Sequence, residues 1–178
     1  MNVFWLLFLA LTLIISSFCP YFWRDTLGIS ICKIMTIPSI QFNFLTAANL
    51  TNRTGLRKFI DKRVKKEGKQ LAELQYIFCS DAYLLAINRE YLKHDFFTDI
   101  ITFNLSEKGQ PINAEIYISV DRVRENAANY NSSFRKELHR VMFHGILHLC
   151  GYKDKKPKDA KIMRQMEDKW LIAYLRST

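Results

Sequence analysis

The sequence predicts an α+β fold: a small mixed β-sheet covered by helices, with one strongly apolar helix at its centre. Three observations predict it. Short runs carry apolar residues at every second position, as half-buried strands do. Longer segments return their apolar residues at helical spacing and are preceded by capping residues. The two kinds of segment do not alternate one for one, which argues against a regular βαβ wind.

The elements follow in chain order. Residues 1–35 form a hydrophobic N-terminal extension: Val3 to Ile15 is almost purely apolar, and no charged side chain precedes Arg24. A membrane anchor needs about 20 apolar residues, and this stretch is long enough. A signal peptide would carry a positive leading region, which is missing. A start assigned too early is the third reading and the favoured one, because Met35 stands directly before the first globular pattern. Were the anchor real, Arg24 and Lys33 would hold the domain on the cytoplasmic side. The chain therefore divides into residues 1–35 and one domain, 36–178, of ordinary single-domain size.

Within that domain, Ile40, Phe42 and Phe44 share one side of a predicted strand over 39–45. Residues 51–67 read as an amphipathic helix, with Leu56, Phe59, Ile60 and Val64 on one face and a basic remainder, ended by Gly68. Residues 74–79 are strand-like. Ser80 or Asp81 caps a helix reaching about Leu92. Residues 100–105 read as a strand, Lys108-Gly109-Gln110-Pro111 as a turn, and 112–120 as another strand. Asp121 opens a helix to about Tyr130, and the polar residues Asn129, Asn131, Ser132 and Ser133 break it. Ser133 then caps the apolar helix over 134–150. Pro157 starts the last helix, which ends near Arg176.

The apolar helix carries the chemistry. His144 and His148 stand four apart, the spacing that lets two imidazoles on one helix face reach a single metal ion. Their neighbours Val141, Met142, Phe143, Ile146, Leu147 and Leu149 make the helix a buried one, where a polar ring needs a partner. Gly151 can take the left-handed conformation that ends a helix. The turn brings Asp154, six residues past His148, within reach of the same ion. His144, His148 and Asp154 give three protein ligands and leave a position for water, the catalytic kind of zinc site. No catalytic residue is assigned beyond that water. Gly145 occupies the position where H-E-x-x-H metalloproteases carry their general base, so protease chemistry is disfavoured. Glu137 and Arg140 share the histidines' side of the helix: Glu137 as a proton acceptor for an imidazole, Arg140 as a phosphate contact, or both as a local ion pair. Lys153 is placed to meet phosphate charge, or is a solvated turn residue. His94 and Asp95 lie in a loop near the cleft or are simply exposed.

Composition narrows the partners. The net charge of +9 falls wholly after residue 23, so an acidic partner such as RNA or a membrane surface suits the domain. Cys19, Cys32, Cys79 and Cys150 form no C-x-x-C pair, which argues against a disulfide scaffold and fits a reducing compartment.

The run His144-Gly145-Ile146-Leu147-His148-Leu149-Cys150-Gly151-Tyr152, with a ligand six residues after the second histidine, resembles the YbeY family of bacterial endoribonucleases. Thr98-Asp99-Ile100-Ile101-Thr102-Phe103 and Ala114-Glu115-Ile116-Tyr117-Ile118-Ser119 are similar to two further segments of that family, in the same order, so the likeness spans about residues 75–170. The resemblance implies a single-strand-specific, metal-dependent endoribonuclease acting in rRNA 3′ processing, ribosome maturation and quality control. It implies one zinc ion, rRNA and ribosomal particles as partners, no nucleotide cofactor, a cytoplasmic location, and membrane contact only if the hydrophobic extension is an anchor. Two positions depart from the pattern. Asp154 stands where the family places a third histidine, and Leu92 stands where it commonly has an arginine. The alternative is a ribosome-associated RNA-binding factor with a structural metal; a metalloprotease comes third.

Overall fold

The computed structural model describes residues 38–177; the expectations for residues 1–35 lie outside them. Strand β1 (Ser39–Phe44) is followed by helix α1 (Arg53–Lys66), β2 (Leu71–Cys79) and α2 (Asp81–Ile87), which continues into a π-helical turn, Asn88–Leu92. Then come β3 (Ile100–Asn104), β4 (Ile112–Ser119), α3 (Val120–Asn129), α4 (Phe134–Cys150) and α5 (Pro157–Leu175). The strands form one mixed sheet in the order β1-β2-β4-β3. The β1–β2 and β2–β4 pairs are parallel, and β3 lies antiparallel on the β4 edge. This is the α+β architecture that the sequence predicts.

The helices start where short polar side chains can cap them. Asn52 accepts from Gly55 N, Ser80 from Tyr83 N, Ser119 from Arg122 N and Ser133 from Lys136 N. Pro157 opens α5. Two boundaries differ from expectation by more than two residues. β2 begins three residues early, at Leu71, because Glu73, a charged residue that spoils the apolar run, sits in register with Ser39 and Asn113 on the sheet. α2 loses α-helical geometry at Asn88, whose buried side chain turns away to donate to the Phe96 carbonyl at 2.8 Å.

Strand alternation sorts the side chains onto two faces. Leu74, Tyr76 and Phe78 of β2 and Ala114, Ile116 and Ile118 of β4 join the main core with α1, α4 and α5. Cys79 and Ile101 face the other way, against Leu84 and Ile87 of α2, with Phe103 and Tyr117 beside them. α4 lies on β3 and β4 and is flanked by α3 and α5. Its close approach to the sheet depends on Gly145. A Cβ there would come within 2.9 Å of Ile100 Cδ1 and 3.0 Å of Ile116 Cδ1. At the position that a metalloprotease would give to glutamate, a side chain would have to displace these two isoleucines.

Candidate metal centre

Helix α4 buries Leu138, Met142, Phe143, Ile146 and Leu147, so its remaining side projects His144 and His148 toward a cleft. Gly151 adopts φ 106° as the left-handed cap. Its N–H donates to the His148 carbonyl and that of Tyr152 to the Leu147 carbonyl, at 2.9 and 3.0 Å. The turn does two things for the site. It returns the Tyr152 carbonyl to His148 Nδ1 at 3.0 Å, and it brings Asp154 across from the histidines. Tyr152 itself is held by its hydroxyl, which donates to Glu67 at 2.9 Å.

Asp154 Oδ2 stands 3.5 Å from His144 Nε2 and 3.4 Å from His148 Nε2. The two Nε2 atoms are 2.9 Å apart. One ligand atom from each of the three residues falls within 4.8 Å of the others. Hydrogen-bond partners define the tautomers. His144 Nδ1 faces Glu167 Oε1 at 2.8 Å and His148 Nδ1 faces a carbonyl, so each Nδ1 carries the proton and donates. Both Nε2 lone pairs then point at each other and at a carboxylate oxygen. Three acceptors converge on one point with no donor between them, an arrangement that a cation completes. Metal–ligand distances of about 2.0–2.2 Å imply ligand–ligand separations of roughly 3.3–3.6 Å in a tetrahedral set; Asp154 sits in that range, and the two Nε2 atoms, 2.9 Å apart, would have to part on binding. The donors fit a divalent metal.

Glu167 is the residue that the sequence did not reveal. It lies on α5, buried, and accepts from His144, from Arg140 at 3.3 Å and from Arg164 at 3.1 Å. Burial raises its carboxyl pKa, but the His144 hydrogen bond, Arg164 and Arg140 outweigh burial and leave it below the ordinary value. Of the two readings of Glu137, the structure shows the local ion pair: its carboxylate faces Arg140 at 3.7 Å. Burial pushes its carboxyl upward, only partly offset by Arg140. Arg140 is engaged by three carboxylates, the nearest being Asp168 at 2.7 Å. It also lines a smaller polar cleft of about 290 Å³ beside His144. One sequence signal for Glu167 existed: it interrupts the buried stripe Met163, Trp170, Leu171 and Tyr174, and an acid in an apolar stripe needs a partner.

The main cleft, about 640 Å³, is lined by the three candidate ligands and by Leu92, His94 and Lys155 among others. Its mouth is open at Asp154, whose side chain is 40% exposed against 22% for His144. Asp95 pairs with Arg89 at 2.6 Å rather than lining the cleft, and Lys153 is exposed. Leu92, at the arginine position of the resembled pattern, meets the cleft with an apolar side chain, and Lys155 supplies a cation there. Cys79 is buried and Cys150 half-buried, both as free thiols. Among the described residues no helix is long and apolar enough to cross a membrane.

Comparisons with known proteins show the family. The family model for endoribonuclease YbeY matches residues 42–174. A Cytophaga hutchinsonii protein named endoribonuclease YbeY is 50% identical over 123 residues, 69% of this chain and 86% of that one. A Flavobacterium johnsoniae protein of the same name is 47% identical over 135 residues, 76% of this chain and 96% of that one. The solution structure of a Thermotoga maritima protein aligns with a TM-score of 0.54 at 29% identity, covering 79% of this chain and 91% of that one. The chain belongs to the YbeY family of endoribonucleases, nucleases that act on RNA.

Proposed function

We propose that this chain is a single-strand-specific, metal-dependent endoribonuclease acting in rRNA 3′ processing, ribosome maturation and quality control, with one zinc ion held by His144, His148 and Asp154. The observation that carries the reading is the convergence of two imidazole lone pairs and a carboxylate, each imidazole braced from behind, at the wall of an open cleft. A metal held there supplies Lewis-acid polarisation of a phosphoryl oxygen and a water acidified to a pKa of about 7.

The chain's own residues have distinct parts. Glu167 and the Tyr152 carbonyl hold the two Nδ1 protons, so both rings present Nε2 to the cleft. Arg140 keeps Glu167 in place and ionised, and a phosphate reaching the smaller cleft would meet it there. Lys155 meets phosphate charge in the main cleft. The partners that fit are rRNA and ribosomal particles, and the location that fits is cytoplasmic. The test is cleavage of single-stranded RNA by purified protein before and after chelation. Loss on chelation and return with zinc support the reading. Undiminished RNA affinity with no cleavage under any metal would instead favour an RNA-binding factor with a structural metal.

Two expectations accompany it. RNA affinity should fall steeply between low and moderate salt, because phosphate contacts release counterions; binding that stays flat by anisotropy would remove the basic surface from the account. Residues 36–178 are proposed to carry the activity, so a chain beginning at Met35 should fold and complement a strain lacking the gene. Insolubility of that chain, with full length active, would contradict this.

A further inference from the structure

We infer that Phe96, stacked on His94, is a base-stacking platform that selects unpaired nucleotides at the cleft holding His144, His148 and Asp154. The inference rests on the RNA reading above and extends it to how a single strand is chosen.

The ring is exposed yet held. Phe96 is 57% exposed, and its ring lies 5.1 Å from that of His94 at an interplanar angle of 23°. Both residues line the same cleft of about 640 Å³ as the three candidate metal ligands. Three contacts fix the loop that carries them. Asn88, only 2% exposed, donates to the Phe96 carbonyl at 2.8 Å; the His94 amide donates to the Asn88 carbonyl at 3.2 Å; and Arg89 pairs with Asp95 at 2.6 Å. A buried asparagine and a π-helical turn are thus committed to holding an apolar ring toward water. π-helical turns recur at functional sites. The neighbouring aromatics are already engaged. The Phe97 ring carries the Arg122 guanidinium at 4.6 Å, and Tyr91 packs edge-on against Phe103.

The ligand that suits this surface is flat, aromatic and attached to a phosphate chain. A nucleobase stacks on a phenyl or imidazole face whatever its hydrogen-bonding edge, so recognition tolerates any sequence. A base paired in a duplex has both faces covered by its neighbours and cannot use the platform. The phosphates have a path as well. Lys155 lines the main cleft, which shares Asn104 and Leu149 with a second cleft of about 660 Å³ bearing Lys69 from the α1–β2 turn and Lys108 from the β3–β4 turn. A strand of several nucleotides can therefore run from the platform past the metal ligands and along the edge strand β3.

The test titrates the full chain with a fluorescently labelled single-stranded RNA oligomer, using wild type, Phe96→Ala, Phe96→Leu and Phe96→Trp, each first checked for an unchanged melting temperature. Phe96→Ala and Phe96→Leu are expected to weaken binding about tenfold or more and to raise KM correspondingly. Phe96→Trp should retain affinity, with its added indole emission quenched by saturating RNA. Wild-type affinity in Phe96→Leu would mean that apolar bulk suffices, as for a protein partner, and would overturn the platform. Wild-type affinity in Phe96→Ala would overturn it while leaving the RNA reading intact. Failure of the wild type itself to bind or cleave RNA would remove the RNA reading and the platform together.

Discussion

Replacing either His144 or His148 with alanine is expected to abolish RNA cleavage and metal binding while leaving the fold in place. Among the described residues, each ring contributes one of three candidate ligand atoms. The rate should therefore fall by more than the roughly 100-fold that loss of a ligand's outer partner brings. The fold should survive because both rings lie at the cleft and neither belongs to the core, whereas Leu138, Met142, Phe143, Ile146 and Leu147 pack the helix. Both variants should melt close to wild type when each is compared in chelator. Circular dichroism melts beside cleavage rates check both statements. A large drop in the melting temperature of the chelated variant would show that the ring contributes to packing and not only to the site.

The second large effect is expected at Glu167. It joins His144 on α4 to Arg140 and Arg164, so its carboxylate orients a ligand and is itself held ionised. Glu167→Gln keeps the shape and an acceptor but removes the charge, and should weaken metal affinity roughly 10- to 100-fold. A pH signature separates this from simple loss of packing. The folded-state pKa of Glu167 lies below its ordinary 4.5, so the stability it contributes is fully present above that value and is lost as pH falls through the folded-state value. In Glu167→Gln, the melting temperature of metal-free protein should depend less on pH across that acidic window. A metal affinity equal to wild type would remove Glu167 from the site.

Particular residues show what the sequence could carry. The candidate metal helix was legible because two local signals coincide on it: histidines four apart, and an apolar surround that denies them water. The approach of Asp154 was legible because one glycine, at φ 106°, turns the chain back within a few residues. Glu167 showed only as an acid in an apolar stripe; its role was not legible, because its partner His144 lies 23 residues away on another helix, and no spacing rule joins separate helices. Glu137 shares the helix with the histidines, and its ion pair with Arg140 was legible in the i, i+3 spacing. The loop carrying Phe96 was hidden for the same reason as the role of Glu167. Its conformation depends on a hydrogen bond from Asn88 that spans eight residues and has no periodic pattern behind it.

The most direct test of the account is metal content by elemental analysis in Asp154→Ala and Asp154→His, read beside the RNA cleavage rate. Asp154 is the most open of the three candidate ligands and belongs to the turn rather than to the helix, so its replacement disturbs least else. The account predicts about one metal per chain in the wild type, loss of both metal and cleavage in Asp154→Ala, and retention of both in Asp154→His, where an imidazole supplies a ligand from the same turn. Full metal occupancy in Asp154→Ala, or cleavage that persists without metal, would contradict it.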